Sequence, residues 1–188
     1  MRLPLKYITL SLLHIGVFLV SIALINEAFA DSRKSVTSLK EIRERGVVMQ
    51  QWENSCAAAS LATVLTYGFR DPVSEKTAAK EMLALTDPQT VRARGGFSML
   101  DMKKFVEGRG YKGSAYKELS FDELRIFHAA IVPIDNHGYN HYVVFNGVRN
   151  DKVLLADPAY GNRQVSIGRF NKMWMNGMAF VVTREGSE

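Results

Sequence analysis

Gln50-Gln51-Trp52-Glu53-Asn54-Ser55-Cys56-Ala57-Ala58-Ala59-Ser60 is the stretch around which the rest of the chain is read. Cys56 is the only cysteine in 188 residues. A small-residue helix over 55–67 is expected to begin at this thiol, capped by Asn54 or Ser55 and stopped by Gly68. Ala57, Leu61, Val64 and Leu65 would line its inner face. Unpaired N–H groups give a helix N-terminus partial positive charge, which favours thiolate, the nucleophilic form of cysteine. A lone cysteine has three open readings: a small buried apolar residue, a cross-linking site or a reactive thiol.

Working outward, 31–46 is polar and charged, with Val36, Leu39 and Ile42 at helical spacing. It reads as a lead-in helix ending at Gly46. A second helix is expected over 74–85, bracketed by Pro72 and Pro88. Ser98 with Asp101 has capping-box spacing and opens a third helix running to Gly108. Ser120 with Glu123 repeats that signature for a short fourth. Gly95-Gly96 reads as a loop before the third helix, and Trp52 and Trp174 as packing residues. From residue 130 the texture changes. Stretches 130–134, 141–148, 152–156, 163–167 and 178–183 read as strands separated by Gly, Asn, Asp and Pro. Neighbouring strands are close in sequence, so antiparallel pairing follows. The expected class is α+β, an N-terminal helical half packed on a C-terminal antiparallel sheet.

A cysteine nucleophile needs a base, an orienter for that base and donors for an oxyanion. His141 opens the run His141-Tyr142-Val143-Val144-Phe145, and Asp157 closes Val153-Leu154-Leu155-Ala156. If the turn at Arg149-Asn150-Asp151 joins these runs as a hairpin, their outer ends lie side by side. Asp157 could then accept from one imidazole nitrogen and fix the tautomer. Gln50, on the approach to the helix, could lend its amide N–H to an oxyanion. Plainer roles compete: Asp157-Pro158 is a common strand-ending turn, and a lone Gln is often only a loop hydrogen-bonder. His137 with His141 could form a metal pair, but Gly138 lies between them and no third strong ligand is near. No metal or cofactor is expected.

The net charge of +5 is mild, and its lysines and arginines are scattered among acids. That weighs against a nucleic-acid partner. Arg2 and Lys6 precede a mostly apolar stretch over 8–25, and Ala28-Phe29-Ala30 offers small residues where a signal peptidase reads. Residues 1–30 are therefore expected to be a signal peptide cut near Ala30/Asp31, giving a periplasmic or secreted protein. The alternative is an inner-membrane anchor over 8–25. The remainder divides into a lead-in over 31–46 and one domain over 47–188, long enough to bury a sizeable core.

The combination resembles the bacteriocin-processing, double-glycine-leader cysteine peptidases. Its pieces are Gln50 six residues before Cys56, His141-Tyr142-Val143-Val144, and Leu155-Ala156-Asp157-Pro158-Ala159-Tyr160-Gly161. Gly95-Gly96-Phe97-Ser98-Met99-Leu100-Asp101-Met102 and Trp174-Met175-Asn176-Gly177 look like that family too. The resemblance runs from about Val47 to Val182. It implies a papain-like fold with Cys56 as nucleophile, His141 as base, Asp157 as orienter and Gln50 as oxyanion donor. It also implies cleavage of peptide leaders after Gly-Gly. Two features depart from the pattern. Ser55-Cys56-Ala57 stands where the family usually has Asp-Cys-Gly, and no exporter sequence accompanies the peptidase residues. The expectation is a stand-alone, exported cysteine endopeptidase acting on an exported peptide or protein, with a possible secretion-system association. Two alternatives are a non-catalytic module that binds a secretion substrate and an acyl-transfer enzyme using the same thiol.

Overall fold

The computed structural model describes residues 36–184 and Gly186. The signal peptide over 1–30, its cut site near Ala30/Asp31 and the alternative anchor over 8–25 lie outside these residues. No helix among the described residues is long and apolar enough to cross a membrane.

The lead-in segment contributes α1 (Leu39–Glu44). The expected helix forms, but its apolar residues find no core: Leu39 and Ile42 are exposed. Backbone contacts hold this short helix instead. Asn162 Nδ2 donates to the carbonyls of Arg43 at 3.0 Å and Arg45 at 2.7 Å. Gly161, at φ +76°, lets the chain pass where a Cβ would stand 2.6 Å from the Arg43 carbonyl.

Helix α2 (Cys56–Thr63) is the centre of the helical layer. Every residue from Ala57 to Thr63 is buried, not just one face, because small side chains let the helix sit between the sheet and other helices. Ser55 occupies the cap position without a capping hydrogen bond from its side chain. Gly68 is not the stop: the helix widens into a π-helical turn over Val64–Phe69 and ends at Arg70, φ +59°. Next come α3 (Glu75–Leu85), α4 (Pro88–Arg94) and α5 (Met99–Gly108). Helix α4 fills a stretch for which the sequence predicts no element, and Gly95-Gly96 form the expected loop after it. Asp87 accepts from Thr90 N at 2.8 Å, Pro88 starts the helix and Gly95 at φ +75° closes it. The Ser98–Asp101 capping box forms as expected.

Strand β1 (Tyr111–Tyr116) precedes a short helix, α6 (Phe121–Leu124), whose Ser120–Glu123 box also forms. The remaining elements are β2 (Ala130–Asn136), β3 (Tyr139–Arg149), β4 (Lys152–Asp157), β5 (Gly161–Ser166), α7 (Ile167–Met173) and β6 (Ala179–Arg184). The expected order of helices first and strands second is thus corrected at β1 and α7. The α+β papain-like class holds: the sheet has six strands, ordered β1-β6-β2-β3-β4-β5, and the paired neighbours are antiparallel.

The sheet is covered on both faces, and strand alternation sorts residues between them. Val144 and Ala156 pair across β3 and β4 and face Leu61, Leu65, Met102 and Phe105 of the helical layer. Phe145 and Leu155, one step on, face Leu124 and Phe170 on the other side. There the rings of Phe121, Phe145, Phe170 and Trp174 interlock at centroid spacings of 5.6–6.4 Å. Full burial of a side chain such as Leu61 contributes about 1.5–3 kcal/mol.

The β3–β4 hairpin positions the site. Asn150 and Asp151, at φ +50° and +55°, have the left-handed backbone of a two-residue type I′ turn. A bulge between Phe145 and Val148 adds one residue to β3. Continuing the Val144–Ala156 register sets Asp157 opposite Val143, with His141 one diagonal step beyond. At that spacing a histidine reaches a carboxylate on the neighbouring strand.

Candidate active site

The start of α2 abuts the start of β3. Tyr142 N donates to Cys56 Sγ at 3.5 Å, and Ser60 Oγ, one turn along α2, donates to Tyr142 O at 3.1 Å. Tyr142 is thus tied to the helix on both sides, which fixes its neighbour His141 beside the thiol. Cys56 is half-buried and open to a cleft.

His141 Nε2 lies 2.8 Å from Asp157 Oδ1, and Asp157 has no exposed surface. The same oxygen accepts from Ala159 N at 2.9 Å and Tyr160 N at 3.3 Å. The Arg163 guanidinium stands 2.9 Å from Oδ2, close enough for an ion pair but without hydrogen-bond alignment. With Nε2 engaged, Nδ1 is the nitrogen left for Cys56. Burial alone would make His141 a weaker base. The hydrogen bond to Asp157, then that to Cys56, and the charges of both outweigh burial and raise its pKa from 6.5 to about 9. The residue therefore carries its proton through neutral pH. Burial, followed by the Cys56 charge, pushes the Tyr142 phenol up to about 12.

Gln50 is held by its backbone: its N–H donates to Pro158 O at 2.8 Å, just beyond Asp157. Its side chain lines the cleft with Cys56 and His141. Among the described residues Nε2 makes one long contact, 3.5 Å to Trp52 O, and the buried Oε1 has no partner. A loosely engaged amide beside a sulfur can still offer an N–H to an incoming oxygen. The fold thus gathers Gln50, Cys56 and His141 around one cleft and sets Asp157 behind the imidazole.

Two hollows meet at the sulfur. One, of about 440 Å³, is polar and is walled by Gln50, Asn54, Asn140 and Tyr160. The other, of about 190 Å³, is walled by Gly95, Gly96, Phe97, Pro133, Met175 and Met178. Arg94 borders both. Gly96 has φ +146°, and a Cβ there would meet the Asn54 carbonyl at 3.0 Å. Gly96→Ala is expected to shift the 94–98 wall, cost about 1–3 kcal/mol and lower kcat/KM on peptides. Gly95→Ala meets no neighbouring atom, so its cost is the backbone strain at φ +75° alone, about 1–2 kcal/mol. Thermal melts and peptide kinetics on both variants check this.

Sequence reasoning missed Arg94, Arg163 and Glu75. Arg163 was within reach: β5 pairs Gly161 with Asp157 and Arg163 with Leu155, so alternation places it on the Asp157 side. Trp52, expected to pack, is 47% exposed. Trp174 packs as expected, stacked on Phe170, with its N–H donating to Met178 O at 2.7 Å.

The model of the peptidase C39 family matches residues 44–187. "Probable functional amyloid protease FapD" of Pseudomonas aeruginosa is 38% identical over 155 residues, covering 81% of this chain and 67% of the relative. Among solved structures, a double glycine motif protease from an AMS/PCAT transporter, in complex with a leader peptide, superposes with TM-score 0.61 at 22% identity. It covers 76% of this chain and 96% of its own. The peptidase domain of Streptococcus ComA gives TM-score 0.61 at 23% identity, covering 74% of this chain and 98% of its own.

Proposed function

The chain belongs to the peptidase C39 family and is a cysteine peptidase, and from that premise we propose that Cys56 is its nucleophile, His141 its acid and base, Asp157 the orienter and Gln50 the oxyanion donor. The sulfur attacks the peptide carbonyl carbon, a C–S bond forms, and the carbonyl electron pair moves to oxygen. The Gln50 amide and the N–H groups opening α2 stabilise that oxyanion. Imidazolium His141 gives its Nδ1 proton to the leaving nitrogen as the C–N bond breaks. Neutral His141 then takes a proton from water, hydroxide attacks the thioester, and the C–S bond breaks to release a carboxylic acid, which gives its proton to solvent, and the sulfur as thiolate beside imidazolium His141. Asp157 holds Nε2–H throughout. The observation that carries this reading is an imidazole pinned to Asp157 at 2.8 Å and lining one cleft with the Cys56 thiol.

The proposed substrate is an exported peptide or protein cut after a Gly-Gly pair. Support comes from the small hollow beside the sulfur, where two glycines, Pro133 and two methionines leave room for small side chains. The solved relative described as a double glycine motif protease adds to it. The relative described as a probable functional amyloid protease points to an amyloid protein as substrate, and association with a secretion system is part of the same proposal. The basic start, apolar run and Ala28-Phe29-Ala30 support a site of action in the periplasm or outside the cell, with the chain cut near Asp31.

Incubation of the protein with Gly-Gly-containing peptides and with exported proteins encoded beside it, followed by mass mapping of new termini, tests this reading. New ends after Gly-Gly support it; cleavage spread over unrelated junctions overturns the specificity. Gln50→Ala is expected to lower kcat about 10²- to 10³-fold with KM little changed. A kcat within about twofold of the parent removes Gln50 from the oxyanion role.

A further inference from the structure

Glu75 is 3% exposed at the first position of α3. The other buried carboxylates have cations at hand: Asp101 has Arg94 at 3.0 Å, and Asp157 has Arg163 and His141. No cation pairs with Glu75 among the described residues. Its oxygens are met by the loop between Gln50 and Cys56. Gln51 N donates to both, at 3.0 Å each. The Ser55 hydroxyl shares one proton between Glu75 Oε1 and the Trp52 carbonyl, the latter 2.6 Å away. Burying a carboxylate without a counter-ion is costly, and nearby N–H and O–H donors offset that cost. The N-terminal turn of α3 adds a favourable dipole.

These contacts sit at both ends of the reactive loop. Gln51 N belongs to the peptide immediately after Gln50. The peptide before it is fixed by Gln50 N donating to Pro158 O. Gln50 is therefore clamped on one side by Glu75 and on the other by the residue following Asp157. Ser55 directly precedes Cys56, so the same carboxylate fixes where α2 begins.

We propose that Glu75 is a positioning residue that sets the separation of the Gln50 amide from the Cys56 sulfur; this rests on the oxyanion role of Gln50. Glu75 touches no substrate. It acts by keeping the Gln50 donor where an oxyanion forms, and a donor about 1 Å out of place costs up to about a hundredfold in rate. Nothing in this role requires the thiol itself to change.

Two probes separate the effects. A peptide ending in glycinal forms a tetrahedral adduct whose oxygen needs the amide donor, whereas iodoacetamide alkylates Cys56 by displacement and needs no such donor. Glu75→Ala is expected to lower kcat and glycinal affinity together, by about 10- to 100-fold, with KM and alkylation rate within about twofold of the parent. In a Gln50→Ala background the same substitution should cost nothing more. Glu75→Gln keeps the shape and one acceptor, so it should fold and show a smaller loss of the same pattern. It decides the matter if the alanine variant does not fold. Losses that add in the double variant, or that strike alkylation and glycinal binding equally, overturn the proposal. So does an unchanged kcat in both Glu75 variants. If Gln50→Ala alone is inactive while the Glu75 variants are fully active, only this inference falls. If Gln50→Ala alone is fully active, the oxyanion reading falls with it.

Discussion

Cys56→Ala is expected to abolish measurable peptide cleavage while leaving the fold intact. The substitution removes the sulfur proposed to bond to the carbonyl carbon, and loss of a nucleophile costs about a millionfold in kcat. Its structural cost is small. The position opens a helix whose next three residues are already alanine, and the side chain is half-buried beside the cleft. The hydrogen bonds given up are the 3.5 Å contact from Tyr142 N and the one shared with His141. Ser60 still grips the Tyr142 carbonyl at 3.1 Å, so the start of β3 keeps its place. The melting curve should shift by no more than about 1 kcal/mol equivalent. A second readout follows from His141, whose raised pKa depends partly on the hydrogen bond and charge of Cys56. Its titration, read by NMR, should move down from about 9 in the alanine variant. Retained cleavage in Cys56→Ala would remove the cysteine from the chemistry.

Asp157→Ala is the next most damaging change. Asp157 Oδ1 is the largest influence raising the pKa of His141, and it fixes Nε2 as the bonded nitrogen. Its loss frees the imidazole to rotate and lowers its proton affinity; the expected drop in kcat is about ten-thousandfold. Stability falls as well, because the Arg163 guanidinium is left beside a hole; removing one partner of a buried pair costs about 3–5 kcal/mol. Asp157→Asn separates the two effects. It keeps the volume and one acceptor but drops the charge, so activity survives at a reduced level and its alkaline limb moves below about 9. The sign is fixed by linkage. The folded-state pKa of His141 is raised, so its protonation stabilises the native state fully below pH 6.5 and loses that contribution as pH climbs through about 9. The His141 share of the stability gap between parent and Asp157→Asn should therefore be widest in acid and close on the alkaline side. A pH-rate profile with melts at several pH values checks both statements.

The convergence of the candidate residues was largely legible in the sequence because its signals are local. Cys56 stands at the head of a small-residue helix, and His141 and Asp157 stand at matching ends of a hairpin whose turn holds Asn150 and Asp151. The supporting residues were not legible in the same way. Glu75 meets Gln51 only through folding, 24 residues apart, and nothing near it in sequence marks it as buried. Strand β1 has Gly113, Ser114 and Ala115 at its centre and little strand propensity of its own. It becomes a strand by pairing with β6. Gly113 is needed there because a Cβ would lie 2.8 Å from both Phe180 and Val106. Helix α4 carried ordinary signals, Asp87 and Pro88 at the start and Gly95 at the end. Pro88 reads equally well as the bracket that ends the preceding helix, which hides them. Helix α7 was hidden because the alternation of β5 runs straight into Ile167, while the cap at Ser166 accepts from Arg169 N at 3.3 Å.

The most direct measurement is acid-quenched mass spectrometry of the full chain during turnover of a Gly-Gly peptide. The expected result is a transient thioester that adds the mass of the N-terminal peptide fragment and maps to Cys56, absent in Cys56→Ala. Cleavage that proceeds with no adduct on Cys56 at any time, and equally well in Cys56→Ala, would contradict the assignment of that sulfur as the attacking atom.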